Sequence, residues 1–496
     1  MNNKDNTMIK HFITVLGNGK YEEVSYYNDM ADKKTYCKTK YIQQAVICLM
    51  IEGKLNKGDK ITVIMTDEAR KAHWDKCSEN QDPLGEILSK SYPDVTIDVV
   101  SIPKGQTNDE VWEIYNRIEK CVGNNEELYV DITHGFRYQP FLMMSVLSFM
   151  RVVNDNVNIN GIFYGAYERG MTEAPILNLL ALMNIMDWAQ AAKFFKENGD
   201  CKPIYSLYMA NKNKNQKSAD DIDKVLNDVV CQIKKTTEAI ECSRGLSARD
   251  GEIESEASIL KSYNKYHSNY NKLIEKMSMK NEAVKESDNS DGSTTMLPPM
   301  AKLLKKADDE LKVFQNQYEF VGIASDKVDK RSIQNLRIGI ATVLWNQKYD
   351  HIQQAYTALE ETIKTYLCVR YGLDETNQLH REDICKHICN YILKNKDKAT
   401  LEVVYNAWEK HYGKSSECEK EGARELIHDL INGDLKKLLN NINSIRDFRN
   451  NINHFGFNKQ HYTPATFRGN LNKNVDAVMR VMIIFYGKEE LAGSDI

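Results

Sequence analysis

The chain has 496 residues, too many for one hydrophobic core, and is expected to divide into two or three domains. Hydrophobic residues make up 42% and charged residues 27%, as in a globular chain with a polar surface. A formal net charge of −4, from 66 basic and 70 acidic residues, excludes recognition of nucleic acid through a global positive field and leaves only a local basic patch.

The N-terminus, Met1 to Lys10, is polar and lacks the apolar core of a signal peptide. His11 to Leu16 is a short β-branched apolar run stopped by Gly17-Asn18-Gly19, which predicts a first strand. A helix is predicted from about Lys38 to Ile51, a second strand over Lys60 to Thr66 and a third over Val95 to Ser101. Asn108 to Cys121 reads as a helix capped by Asn108 or Thr107. Leu128 to Ile132 is a fourth strand, Pro140 to Val153 a strongly apolar helix, and Gly161 to Tyr167 with Ala174 to Leu180 a closing strand pair. Repeated strand–helix–strand units predict a parallel sheet with helices on both faces.

Beyond this α/β region the chain reads as all-α. Leu177 to Asn198 has helical spacing and ends at Gly199-Asp200. About 211 to 285 is charged and periodic, as in long, partly exposed helices. Residues 286–299, rich in Ser, Asp and Gly and closed by Pro-Pro, read as a flexible segment. Helices resume from Ser332, with Gln347 to Val369 one long amphipathic helix and Leu435 to Asn450 another. No apolar run approaches the roughly 18 residues that span a bilayer. The 11 cysteines form no paired Cys-x-x-Cys arrays, which fits reduced thiols. A cytoplasmic protein without membrane contact is expected.

In a doubly wound sheet, ligands collect where strand ends lead into helix N-termini. Gly17-Asn18-Gly19, Thr66-Asp67, Lys104-Gly105 and Asp131-Ile132-Thr133-His134-Gly135-Phe136-Arg137 all follow predicted strands. Glycines admit an anion close to backbone N–H groups, Thr and His direct hydrogen bonds, and Arg137 supplies charge, a chemistry that suits phosphates. Gly-x-Gly by itself is a routine loop. The Asp131–Arg137 run is far more specific; its plainer and less favoured reading is a capped turn in which Asp131 and Thr133 satisfy backbone donors. Neither a Gly-x-x-x-x-Gly-Lys-Ser/Thr loop nor a full Gly-x-Gly-x-x-Gly fingerprint is present, so ATP hydrolysis and nicotinamide chemistry fit poorly.

Near the C-terminus lies Arg446-Asp447-Phe448-Arg449-Asn450-Asn451-Ile452-Asn453-His454-Phe455-Gly456. An Arg and a His at such spacing is a cheap pattern, and Arg381…His387 provides a second case. Glu382 and Asp383 would repel a phosphodiester there, whereas acid near Arg449 is confined to Asp447. The asparagines and Gly456 are expected to end the helix near His454 and gather Arg449, Asn450 and His454 about one polar concavity. RNA carries its own nucleophile, the 2′-hydroxyl. An imidazole can move the proton, a guanidinium can stabilise phosphoryl charge, and an Asn can orient the group. One His does not obviously serve as both acid and base, and a second copy across a dimer interface would supply another.

These residues resemble the CARF–HEPN effector ribonucleases of type III CRISPR systems. The resemblance rests on Leu16-Gly17-Asn18-Gly19 with Tyr21 beyond, on Asp131 to Arg137, on the helix ending at Gly199-Asp200, on Arg446 to Gly456 and on the long upstream helix containing Glu360. It implies a Rossmann-like CARF domain at 1–180 that binds a cyclic oligoadenylate, a helical insertion at 181–330, and a helical HEPN ribonuclease domain at 331–496. It further implies a homodimer or higher oligomer that cuts single-stranded RNA without a metal or resident cofactor. By similarity Arg449, Asn450 and His454 are catalytic. Gly17, Gly19, Thr133, His134, Gly135 and Arg137 are the ligand contacts the resemblance implies, and Asn18, Thr66 and Lys104 join them from their places at the strand ends. Ring size is not written in the motifs; the cyclic tetra-adenylate is the expectation. Two alternatives stand: a domain that degrades its own activator with His134 or Thr133 positioning the ring's 2′-hydroxyl, and a sensor without catalysis.

Three further features are weighed. Cys385-Lys386-His387-Ile388-Cys389 reads as buried thiols rather than zinc ligands, because His387 faces away from the two cysteines on a helix. Lys261 to Lys280 is better read as a solvated helix face than as an RNA contact. Tyr356, Leu359, Ile363 and Leu367 form a stripe suited to a core or a dimer seam.

Overall fold

The computed structural model describes residues 8–29, 31, 33–51, 55–75, 82–214, 221–245, 258–286, 297–412, 415–454 and 461–484. The chain divides into two compact units, Met1–Met186 and Asp187–Ile496.

The first unit is built on an eight-stranded sheet. In chain order its elements are β1 (Ile9–Leu16), β2 (Val24–Asn28), β3 (Tyr36–Thr39), α1 (Ile42–Leu49) and β4 (Lys60–Met65). The short α2 (Asp67–Ala69) then runs into a π-helical turn over Arg70–Trp74. There follow α3 (Leu84–Ser91), β5 (Thr96–Ser101), α4 (Asn108–Glu119), β6 (Glu126–Asp131), α5 (Gln139–Val153), β7 (Asn158–Gly165) and β8 (Glu173–Asn178). The sheet order is β3-β2-β8-β7-β6-β1-β4-β5. The five strands from β5 to β7 are mutually parallel, and β8 turns back antiparallel against β7.

Central strands of a parallel sheet are buried on both faces and read as continuous apolar runs. Accordingly Phe12, Leu16, Val63 and Met65 pack with α1 and α3 on one side, and Ile13, Val15, Ile64 and Val130 with α4 and α5 on the other. His11, fully buried in β1, ties three strands together through Glu126 at 2.7 Å and Thr62 at 2.7 Å.

Several expectations are corrected. The stretch from Lys38 is not helical at its start: β3 occupies Tyr36–Thr39, pairing antiparallel with β2, and α1 begins at Ile42. Neither short strand has alternation long enough to show without its partner. Leu177 belongs to β8, so the following helix, α6, is Leu180–Asn198. Thr107, not Asn108, caps α4, its hydroxyl accepting from the Glu110 N–H.

The second unit is helical. It continues with α7 (Lys202–Lys214), α8 (Asp221–Glu241), α9 (Ile259–Glu286), α10 (Leu297–Leu311), β9 (Glu319–Phe320), α11 (Lys330–Lys348) and α12 (Ile352–Arg370). A π-helical stretch, Leu379–Lys386, leads into α13 (His387–Asn395), then α14 (Leu401–Tyr412), α15 (Glu417–Ile431), α16 (Lys436–Asn453), α17 (Pro464–Met482) and β10 (Ile483–Ile484). Helix α11 serves two cores: Ile338, Ala341 and Trp345 join one with α8 and α9, while Leu336, Ile340 and Val343 join another with α12 and α16.

The predicted single helix from Gln347 to Val369 is broken. Asp350 adopts a left-handed conformation, φ +60, between α11 and α12, letting the two helices pack on each other. Tyr263, Tyr266 and Tyr270 of α9 are buried, so that face of the Lys261–Lys280 stretch is core rather than solvated. Tyr356, Leu359, Ile363 and Leu367 are likewise core. Cys385 and Cys389 are buried thiols, with Cys385 Sγ 3.6 Å from that of Cys368. The ten cysteines among the described residues are all free. Most of the predicted flexible segment 286–299, and Phe455 and Gly456 of the C-terminal motif, lie outside the described residues. Among the described residues no helix is long and apolar enough to cross a membrane.

Candidate functional sites

Parallel pairing sets Leu16 beside Met65 and Thr14 beside Asp131, so the loops after β1, β4 and β6 emerge together. They enclose a cavity of about 300 Å3 lined by Gly17, Asn18, Gly19, Tyr21, Thr66, Thr133, His134, Gly135 and Gln139, among others. Of the nine residues expected from sequence, seven line it. Lys104 and Arg137 do not: Lys104 pairs with Glu68 at 2.7 Å, and Arg137 is exposed on the loop into α5.

The Asp131–Arg137 run is held from within. Asp131 is fully buried and accepts from Thr14 Oγ1 at 2.7 Å, the Thr133 N–H at 3.0 Å and Thr133 Oγ1 at 2.5 Å. The Thr133 oxygen in turn accepts from the Gly165 N–H at 2.8 Å. The Thr133 hydroxyl is therefore a strut between β6 and β7, the capped-turn role weighed above. Gly135 sits at φ +114, where any side chain is strained, and an added Cβ, 2.0 Å from Gln139 Oε1, would also push that amide from its place. Gln139 fixes the loop by accepting from the Phe136 N–H at 2.8 Å.

Beside the glycine loop three rings pack at a tilt of about 30°. Tyr21 lies between His73, at 4.4 Å between centroids, and His134, at 4.5 Å. Burial pushes both imidazoles below their ordinary pKa and the Tyr21 phenol well above its own. His73, from the π-helical turn, contacts the Gly19 carbonyl oxygen through Nε2 at 2.7 Å. Sequence reading missed His73, since nothing between Asp67 and Trp74 marks it until the turn folds back. Gln139 was missed because it reads as the first residue of α5, and only the fold of the loop after β6 brings the Phe136 N–H to it.

In the second unit, α12 and α16 pack together and bring Glu360 against Arg449. Arg449 Nη1 lies 2.8 Å from Glu360 Oε2 as an ion pair rather than an aligned hydrogen bond, and Arg449 Nε has no hydrogen-bond partner. Arg449 Nη2 donates to Asn450 Oδ1 at 3.2 Å. His454 caps the C-terminal end of α16, exposed, one turn beyond Asn450. Asn453 beside it accepts from Gln353 Nε2 at 3.1 Å. Arg381, the rival arginine, is consumed by the fold: it donates to Thr365 Oγ1, to the Glu375 and Glu361 carbonyls and to Glu361 Oε2.

Behind Glu360 charges alternate. The buried Lys364 ammonium lies 3.5 Å from Glu360, 2.8 Å from Glu361 and 2.7 Å from Glu382, and Glu382 also binds Lys386. Partial burial would raise the Glu382 pKa, but the hydrogen bonds from Lys364 and Lys386 outweigh it and bring it from 4.5 to about 2. A depressed carboxylate stabilises the native state above its unfolded pKa and loses that contribution as pH falls through the folded one. Thermal stability should therefore drop between about pH 4.5 and pH 2, and Glu382→Gln should flatten that limb in a melting series; an unchanged slope would contradict the assignment.

Among the described residues no three or more His, Cys, Asp or Glu side chains gather as a metal site.

Residues 11–168 match the family model described as "CRISPR system endoribonuclease Csx1, CARF domain". The chain is 31% identical over 129 residues to the CRISPR-associated protein MJ1674 of Methanocaldococcus jannaschii, covering 25% of this chain and only 20% of that relative. Among solved structures, Enterococcus italicus Csm6 bound to cyclic hexa-2′-fluoro-hexa-dAMP aligns over 96% of this chain and 93% of its own, at 11% identity and a TM-score of 0.32, too low a score to bear on the site. The sheet and its strand-end cavity fall within the matched residues, so the N-terminal unit is similar to the CARF domain of CRISPR-associated proteins.

Proposed function

We propose that the chain is a cyclic-oligoadenylate-activated endoribonuclease that cuts single-stranded RNA, acting in type III CRISPR antiviral defence. The N-terminal cavity takes the activator, with residues 1–180 as the sensor, 181–330 as a helical insertion and 331–496 as the HEPN ribonuclease domain. The observation that carries the reading is the Glu360–Arg449 pair. A buried carboxylate on one helix holds a guanidinium beside Asn450 and one turn from an exposed imidazole. Arg449 retains donors for a phosphoryl oxygen, and Asn450 is placed to orient the scissile group.

His454 moves the proton. As base it takes it from the 2′-hydroxyl, which attacks the adjacent phosphorus; as acid it delivers one to the departing 5′-oxygen. Bonds balance as 2′,3′-cyclic phosphate and a 5′-hydroxyl, and DNA, lacking the 2′-hydroxyl, is spared. Acid and base together require a second imidazole, which a homodimer supplies. Helix α5 is suited to such an interface, with Phe141 80%, Phe149 47% and Val152 83% exposed along it.

The alternative in which the sensor cleaves its own ligand loses one of its two candidate groups, because the Thr133 hydroxyl is committed to Asp131 and Gly165, and would rest on His134, which lines the cavity. In the test, purified protein in EDTA receives labelled single-stranded RNA with and without cyclic adenylates of three to six units. Cleavage with one ring only, leaving 2′,3′-cyclic phosphate ends, is expected. No cleavage with any ring, despite a ligand-induced rise in melting temperature, would leave a sensor without catalysis.

A further inference from the structure

Gly17 is the first residue beyond β1 and lines the strand-end cavity, where its backbone N–H is a candidate donor to an anion. That donor is taken. The Gly17 N–H donates to the Tyr21 hydroxyl at 2.9 Å, and the same hydroxyl donates back to the Gly17 carbonyl at 2.8 Å. Five residues of chain, Gly17 to Tyr21, thus close a ring through the hydroxyl, and both Gly17 and Tyr21 line the cavity. An added Cβ on Gly17 would lie 3.2 Å from that oxygen, so the loop is folded tightly upon it.

We propose that the Gly17 N–H is a phosphate-binding donor held in reserve by Tyr21, whose hydroxyl occupies the position a phosphate oxygen takes when ligand enters. This rests on the reading of the cavity as a cyclic-oligoadenylate site. A hydroxyl that accepts from an N–H imitates one phosphoryl oxygen, but without the charge that makes the ligand's bond stronger. The exchange therefore runs toward the ligand. It also has reach. Tyr21 is packed between His73 and His134, so its departure uncovers one face of each imidazole. His73 remains tied to Gly19, and His134 belongs to the loop after β6. Displacing one side chain thereby loosens the contacts among the loops after β1, β4 and β6 at once. That is a route by which an entering anion becomes a rearrangement of the strand ends.

The test uses full-length protein, wild type and Tyr21→Phe, titrated calorimetrically with cyclic tri-, tetra-, penta- and hexa-adenylate. Phenylalanine keeps the ring and both ring contacts but neither hydrogen bond. For the ring size that binds wild type, its Kd should fall about fivefold, the scale of one net hydrogen bond no longer broken on binding. Amide hydrogen exchange gives an independent reading. The Gly17 amide should be protected in free wild type, exchange faster in free Tyr21→Phe, and be protected in both once ligand is bound. A Kd for Tyr21→Phe equal to or weaker than wild type, with unchanged Gly17 exchange, overturns the proposal while leaving the site intact. Failure of wild type to bind any of the four rings overturns the cyclic-nucleotide reading itself, and this inference with it.

Discussion

His454→Ala should lose RNA cleavage by a factor of about 10²–10⁴, the range that a positioned general acid or base contributes. The expectation follows from where the imidazole sits. It is exposed at the end of α16, outside the cores of the second unit, so its removal should leave stability nearly untouched, within about 0.5 kcal/mol. Loss of activity would then be chemical rather than a failure to fold. The cavity at residues 17–19 and 133–135 belongs to the other unit, so the variant should bind its cyclic adenylate as wild type does. Single-turnover cleavage at saturating activator, beside a ligand titration and a melt, separates the possibilities. A variant that cuts within tenfold of wild type would remove His454 from the mechanism. One that cuts poorly because it binds activator poorly would place the defect elsewhere.

The second large effect is expected for Glu360→Gln, and it should be double. Glu360 is 6% exposed and is the carboxylate facing Arg449, whereas Lys364 has Glu361 and Glu382 besides. Removing the carboxylate leaves the partly buried Arg449 guanidinium without its countercharge, at a cost of about 1–3 kcal/mol. The amide keeps the shape, so the loss should appear as a lower melting temperature without a change of fold. Arg449, no longer held, should also stabilise phosphoryl charge less well, lowering the cleavage rate at least tenfold with little change in RNA affinity. A KM-against-kcat comparison at a temperature where both proteins are folded makes the distinction. Equal stability and equal rate would show that the pair is incidental.

How much of this was legible beforehand varies by element, and the reasons are physical. The runs His11–Leu16, Lys60–Thr66 and Leu128–Ile132 announced themselves because strands buried on both faces carry uninterrupted apolar residues. Val24–Asn28 and Tyr36–Thr39 did not, since edge strands of four or five residues owe their form to β8 and to each other. The break at Asp350 was hidden in a periodicity that runs through it, because apolar residues on both sides of the break face cores.

The candidate sites divide the same way. Asp131, Thr133 and Gly135 stood out as polar and glycine residues interrupting an apolar context, and a local conformational demand explains each of them. Lys104 and Arg137 were grouped with the cavity as cations following predicted strands, and folding sends one to Glu68 and leaves the other exposed on the surface. His73 was invisible, since a lone histidine carries no pattern of its own.

From the amino-acid order alone came the division into an α/β part and a helical part, the strand-end loops and the Arg449–His454 spacing, all properties of neighbours along the chain. Only the tertiary structure decided that Glu360 and not Glu361 meets Arg449, that Arg381 is spent on internal bonds, and that Tyr21 covers Gly17 between two imidazoles. Those choices depend on which faces of separate helices and loops are pressed together, and packing of that kind is settled by the whole core rather than by any segment of it.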